Sequence, residues 1–292
     1  MQSRSSRRTF LAGAGVVAVT SAIPRGAFAF ASAAHGIRFG YAAITWAKEE
    51  RQAIEDISAT GYEGIQLRID ATTEFQPDEL RSILRQHKLT FVALSSGEVS
   101  IDAVEAETIA KHTVNAKYLR DAGGLYLQIL DQLKPYPRTV TADVGVPLAY
   151  HNHLNTISEH PGNLDIVLEN SDPKYVKLLL DTGHSVAGGG DPAEAIRKYH
   201  DRLIFVHLKD VVDIPPDTPN ARYPFKWVEL GRGKVDLPAV FRALDKVNFR
   251  GWAVVELDRV PDKSDTPAQC ARTSRKYLED KIGVKFPAPG AA

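Results

Sequence analysis

The sequence is poor in cysteine, has no excess of either charge, and lacks a long apolar run. Cys270 is the only cysteine among 292 residues, which excludes an intrachain disulfide framework and a cysteine-rich zinc site. Lys plus Arg number 36, as do Asp plus Glu, so the formal net charge is zero. A general nucleic-acid binder needs a basic footprint, and this balance supplies none. The His151-Asn152-His153 run is therefore not read as a nuclease motif. There are no low-complexity segments, short repeats or obvious linkers. Hydrophobic residues make up 43% of the chain, enough for a sizeable core and too many for wholesale disorder.

The first 33 residues read as an address. Arg7-Arg8-Thr9-Phe10-Leu11 precedes an apolar stretch ending at Ile23, and small residues follow Pro24. A basic start, a short apolar centre and an A-x-A site make a secretory signal. The arginine pair with Phe10-Leu11 resembles a twin-arginine (Tat) signal, which implies the Tat export machinery as a partner and a periplasmic or extracellular destination. Cleavage after Ala29 or after Ala33 fits equally well. The apolar stretch is short for a permanent membrane helix. Residues 1–33 contain four arginines and no acid, so the remaining 259 residues carry 32 basic against 36 acidic groups, a net charge of −4.

From Ile37 onward, buried-looking runs of about five residues alternate with amphipathic stretches. The runs predict strands over 38–42, 64–67, 90–95, 125–129, 147–151, 176–181, 203–208 and 253–257. Helices are expected over 47–59, 76–86, 102–122, 193–199, 236–247 and from Thr266 to Gly283. Pro77, Pro192 and Pro267 sit at helix starts, and Asp191 and Asp236 are expected caps. Eight strands in such alternation predict an α/β (β/α)8 barrel formed as a single domain over 34–292. Pro135 and Pro137 leave room for only a short helix between Leu130 and Gly145, so the fourth crossover is expected to be abbreviated. Gly188-Gly189-Gly190 reads as a loop before a capped helix rather than a phosphate cradle, because no Lys-Ser/Thr follows.

Polar residues gather where the last four strands run out: His151 and His153, Asp181 and His184, His207 and Lys209, Glu256 and Asp258. Active sites of such barrels lie at the C-terminal strand ends. Carboxylates with imidazoles and no thiolate suit a divalent metal such as Mn²⁺, Co²⁺, Zn²⁺, Fe²⁺ or Mg²⁺. His151, Asp181, His207 and Glu256 would converge on one metal, with the first ligand open between His151 and His153. His153 and Lys209, each two residues beyond a ligand, would work as acid and base. Together these groups would support proton abstraction beside a carbonyl, and hence epimerisation, isomerisation or loss of water.

The motifs Gly61-Tyr62-Glu63-Gly64-Ile65-Gln66-Leu67, Tyr150-His151-Asn152-His153, Leu180-Asp181-Thr182-Gly183-His184, His207-Leu208-Lys209-Asp210 and Val255-Glu256-Leu257-Asp258 resemble the xylose-isomerase-like TIM-barrel superfamily. The His-Asn-His form and Glu229-Leu230-Gly231-Arg232-Gly233-Lys234-Val235-Asp236 are most similar to its inosose dehydratase branch. The resemblance implies a metal-dependent enzyme, Mn²⁺ first among metals, acting on a small keto-sugar or keto-inositol as a dehydratase. An epimerase or isomerase is the alternative, and a non-catalytic sugar-binding barrel is the alternative of another class. It also implies Asp181, His207 and Glu256 as ligands, His153 and Lys209 as the acid–base pair, and, by analogy, homo-oligomers. His151 stands where the superfamily usually has Glu, and Gln66 stands where relatives commonly carry Glu. Trp46 as a stacking platform, Gln66, Arg68, His184 and Arg232 complete the expected substrate contacts.

Overall fold

The computed structural model describes residues 36–96, 105–130, 141, 143–219 and 221–286. The arginine-pair leader and most of the fourth crossover, with Pro135 and Pro137, lie outside the described residues. Eight parallel strands close into a barrel: β1 (Arg38–Ala42), β2 (Gly64–Arg68), β3 (Thr90–Ser95), β4 (Tyr126–Ile129), β5 (Leu148–His151), β6 (Val176–Asp181), β7 (Leu203–Leu208) and β10 (Trp252–Val255). Pairing of β1 with β10 completes the ring, Arg38 opposite Trp252 and Tyr41 opposite Val255. The expected (β/α)8 architecture is present. Among the described residues no helix is long and apolar enough to cross a membrane.

The strands are apolar because both of their faces are covered. Outward residues such as Ile65, Leu127, Leu178 and Val206 pack beneath the helices in one large core, and inward residues form a smaller one with Ala93, Ala149, Leu179, Phe205 and Val254. Alternation then dictates the next inward layer: two residues beyond Ala149, Leu179, Phe205 and Val254 come His151, Asp181, His207 and Glu256. An apolar plug thus floors a polar upper layer. Register shifts before Gln66 in the β2–β3 pair and at Leu178/Leu179 in the β6–β7 pair lie beside this layer.

The helices start where their caps predict. Asp191 accepts from the backbone N–H of Ala193, Asp236 from Ala239, and Thr266 forms a capping box with Gln269. Gly61 and Gly283 close their helices in the left-handed conformation, as expected of C-terminal glycines. One start differs from expectation. Ala43–Trp46 forms a 3-10 turn, Ala47 adopts φ +56°, and the helix begins at Glu50. Three further helices, Ala71–Glu74, Pro161–Glu169 and Thr182–Ala187, and an antiparallel hairpin of β8 (Asp210–Asp213) and β9 (Phe225–Val228) were not foreseen. The hairpin strands are partly exposed and carry Asp213 and Lys226, so they do not read as buried apolar runs.

Candidate metal centre

The structure brings His151, Asp181, His207 and Glu256 together, with one ligand-type atom from each lying within 4.8 Å of the others. All four are buried, none more than 5% exposed. Asp181 Oδ2 lies 3.3 Å from His151 Nε2 and 3.5 Å from His207 Nδ1, and Glu256 Oε2 lies 3.2 Å from the same His207 nitrogen. His207 Nδ1 has no hydrogen-bond partner although it is fully buried. Its other nitrogen explains why. His207 Nε2 is 2.8 Å from Gln66 Oε1, which can only accept, so Nε2 carries a proton, and in the neutral ring Nδ1 is then the lone-pair nitrogen. A lone pair facing two carboxylates is repulsive unless a cation or proton lies between them. Two carboxylates and two imidazoles match a divalent cation in charge and in donor type.

Each member of the cluster is held from behind. Asp181 caps the helix Thr182–Ala187, Oδ1 accepting from the His184 N–H at 2.7 Å. Its backbone N–H donates to Asn152 Oδ1, and Asn152 Nδ2 donates to the Asp181 carbonyl. Gln128 Nε2 donates to His151 Nδ1 at 2.9 Å and Gln66 Nε2 to Gln128 Oε1 at 2.5 Å, so an amide pair spans the barrel between the two histidines. Burial lowers His151 to about 4 against the opposing pull of Asp181, leaving a neutral ring. Burial works to raise Asp181, but His184, Lys209 and the hydrogen bond from His151 hold it well below the usual carboxylate range. Glu256, similarly opposed by burial, is lowered to about 2 by His207, Lys209 and His151.

Lys209 is 1% exposed. Its ammonium donates to Glu256 Oε1 at 2.9 Å and to Asp258 Oδ1, lies 3.3 Å from His184 Nε2, and sits over the Trp227 ring at 4.6 Å. Burial works against its charge, but Asp258, Glu256 and Asp181 outweigh it and hold the ammonium well above the usual lysine range. Burial and Lys209 hold His184 well below its ordinary value, so that ring is neutral. The His153 ring lies 3.8 Å from His184 and 5.4 Å from His151, centroid to centroid. His153 Nδ1 donates to the Leu154 carbonyl at 2.7 Å, which leaves Nε2 as the ring nitrogen not committed to the backbone.

The expected substrate contacts divide. Gln66 and His184 belong to the cluster. Trp46 does not: it is 4% exposed, packs edge-on to Tyr41, and its indole N–H donates to Asp56 in the helix layer. Arg68 donates to the Ala47 carbonyl and pairs with Asp70 at 3.1 Å, away from the four donors. Arg232 pairs with Glu229 at 2.9 Å. Its loop is anchored by the buried Asp210, which accepts from the backbone N–H groups of Val211, Gly231, Gly233 and Val235. Gly233 is required there, because a Cβ would lie 2.2 Å from Asp210 Oδ1.

Gln128 and Trp227 were not singled out in the sequence. Gln128 is an amide inside an otherwise apolar strand, and that oddity was the available signal. Tyr223, Phe225 and Trp227 alternate at period two and their rings contact in series, ending against His184. A second donor group, Glu229, Asp265 and Cys270, lies within the same distance limit. There Arg232 already neutralises Glu229, and burial pushes the Cys270 thiol up to about 12, with Glu229 adding to the rise.

Comparison with known proteins returns the same architecture. The model of the xylose isomerase-like TIM barrel family matches residues 126–281. An inosose dehydratase of Geobacillus kaustophilus is 25% identical over 291 residues, covering 83% of this chain and 94% of that protein. An inosose dehydratase of Clostridium tetani is 34% identical over 145 residues, so the match spans about half the length of each, 47% of this chain and 48% of that protein. Among solved structures, the IolI protein with a bound zinc atom superposes with a TM-score of 0.70 at 18% identity, over 86% of this chain and all of that one. At that identity the likeness concerns the fold.

Proposed function

Since the chain belongs to the xylose isomerase-like TIM barrel family, we propose that it is a divalent-metal-dependent lyase of keto-sugars or keto-inositols, with inosose dehydratase-like chemistry. The observation that carries this reading is the buried lone pair of His207 Nδ1 set against the carboxylates of Asp181 and Glu256. Asp181, His207 and Glu256, with His151 beside them, would hold the ion. A divalent ion bound there polarises a substrate carbonyl and so acidifies the neighbouring C–H. The inosose dehydratases among the relatives support the substrate class, and the zinc in the IolI structure supports a metal in this fold.

The chain's own residues divide the remaining work by protonation state. His153, whose Nδ1 donates to the Leu154 carbonyl, takes the proton from carbon at Nε2. Lys209, held as an ammonium by Glu256 and Asp258, gives a proton to the departing hydroxyl, which leaves as water while the electron pair of the broken C–H bond forms the new double bond. Trp227 and the neutral His184 ring pack against Lys209 on that side of the cluster. Gln66, the residue that departs from the carboxylate of relatives, serves as the hydrogen-bond partner of His207.

Metal analysis of protein purified without chelator, beside His207→Ala, tests the centre. Keto-inositols and 3-keto-glycosides supplied with Mn²⁺, Zn²⁺ or Co²⁺ then test the reaction. Gain of enone absorbance identifies dehydration, and exchange of the α-proton alone identifies an epimerase. Binding of sugar without either change under every metal would reject an enzyme of this kind. We further propose that residues 1–33 direct export by the twin-arginine route. Arg7→Lys combined with Arg8→Lys then retains the unprocessed precursor in the cytoplasm, and unchanged export would reject that route.

A further inference from the structure

The polarity of the amide pair between the two histidines decides how many of them can serve a cation. An amide oxygen only accepts hydrogen bonds and an amide nitrogen only donates. Reading across the barrel, His207 Nε2–H donates to Gln66 Oε1 at 2.8 Å, Gln66 Nε2 to Gln128 Oε1 at 2.5 Å, and Gln128 Nε2 to His151 Nδ1 at 2.9 Å. Ser95 Oγ lies alongside, accepting from Gln66 Nε2 and donating to Gln128 Oε1, each at 3.1 Å. Gln66, Gln128, His151 and His207 are all buried, so water does not replace a broken link.

A chain of this kind has a direction. In the direction observed, His207 keeps its proton on Nε2 and turns a lone pair toward Asp181 and Glu256. The same direction delivers an N–H to His151 Nδ1, so the His151 proton must reside on Nε2, the atom facing Asp181 Oδ2 at 3.3 Å. Reversing every link exchanges the two roles. For both rings to offer lone pairs to the centre, both must donate into the chain. The NH2 groups of Gln66 and Gln128 would then face each other across the shortest contact in it.

We propose that Gln66 and Gln128 are positioning residues that allow the centre one imidazole ligand at a time. With the links as observed that ligand would be His207, whereas His151 is hydrogen-bonded to Asp181. The proposal rests on the metal reading above and refines it: Asp181, His207 and Glu256 become a three-residue set, which leaves coordination positions open, as catalytic sites require. It also names the change that would lift the restriction. In Gln128→Glu the carboxylate accepts at both ends, from Gln66 Nε2 and from His151 Nδ1–H, so both rings can present lone pairs.

The test is NMR of ¹⁵N-histidine-labelled protein titrated with ¹¹³Cd²⁺. Proton–nitrogen correlations locate each ring proton, and cadmium–nitrogen couplings identify each ligating nitrogen. The expected wild-type result is coupling to His207 Nδ1 and none to His151, whose Nε2 stays protonated before and after cadmium. Gln128→Glu is expected to move the His151 proton to Nδ1, add a coupling to His151 Nε2, and tighten cadmium at least about ten-fold, as restoring a ligand's hydrogen-bonded partner does. The added charge alone also tightens binding, so the coupling decides. Cadmium coupled to both histidines, or to His151 alone, in the wild type overturns the proposal without any variant. Absence of bound cadmium refutes the metal reading instead, and a metal-free spectrum with His151 protonated on Nδ1 still refutes the amide relay.

Discussion

Glu50 opens the first full helix and is completely buried, yet neither carboxylate oxygen makes a hydrogen bond of good geometry. Burial is the main reason its carboxyl is pushed up to about 8. The Arg68 backbone amide and guanidinium oppose the rise, and Asp70 and Glu74 add to it. The Arg68 guanidinium is already committed to the Ala47 carbonyl and Asp70. A raised acid binds its proton more tightly when folded, so between an ordinary value near 4.5 and about 8 the native state holds more protons than the unfolded chain. Stability therefore falls as pH rises through this window. The full shift corresponds to about 5 kcal/mol, and relaxation around the charge brings the expected effect to roughly 2–4 kcal/mol. Glu50→Gln keeps the shape and removes the titration. Urea unfolding of both proteins from pH 5 to pH 9 should show near-equal stability at the acid end. The variant should gain steadily above pH 6. A difference that does not change with pH, or a variant less stable than wild type at pH 9, would refute the reasoning.

Asp210→Ala should lose on the order of 3 kcal/mol in urea unfolding, because it strands four backbone N–H groups that one buried carboxylate now satisfies. A loss below about 0.5 kcal/mol would show that the loop closes without its anchor. Lys209→Met should lower turnover at least about 100-fold while retaining the metal, as expected when a general acid is removed; an unchanged rate excludes Lys209 as proton donor. Zinc or manganese at 100 times its dissociation constant should stabilise the wild type by about 2.7 kcal/mol in thermal or chemical unfolding. His207→Ala should gain far less, and equal stabilisation of both proteins would place the ion elsewhere.

The strand frame was legible because each strand is a short apolar run that must be covered on both faces. Four barrel strands, β1, β3, β6 and β7, keep the expected bounds, and the other four move by one or two residues. The donor layer was legible for a related reason: His151, Asp181, His207 and Glu256 interrupt runs that otherwise exclude polar groups. Trp46 obeyed the same rule of position and still packs toward the helix layer, where its indole N–H donates to Asp56. Gln128 and Trp227 acquire meaning only from partners 23 and 43 residues away, His151 and His184. No local pattern encodes such pairings, and a partly exposed strand such as β9 lacks the buried apolar run that marks the barrel strands.

What those distant partners share is control of charge in a dry place. Asp181, Glu256 and the partly exposed Asp258 bring three negative charges to the centre against the one positive charge of Lys209. His151 and His184 are held neutral by burial rather than recruited as counter-ions. Burying unbalanced charge is costly, and replacing such groups by apolar ones generally stabilises a protein. A fold that keeps this imbalance therefore holds a site whose cost a divalent cation would relieve. Neutral amides at Gln66 and Gln128 fit that account better than carboxylates would. They orient the two imidazoles without adding a further negative charge, and they leave the attraction for the cation concentrated on Asp181 and Glu256, beside the one histidine nitrogen that faces both.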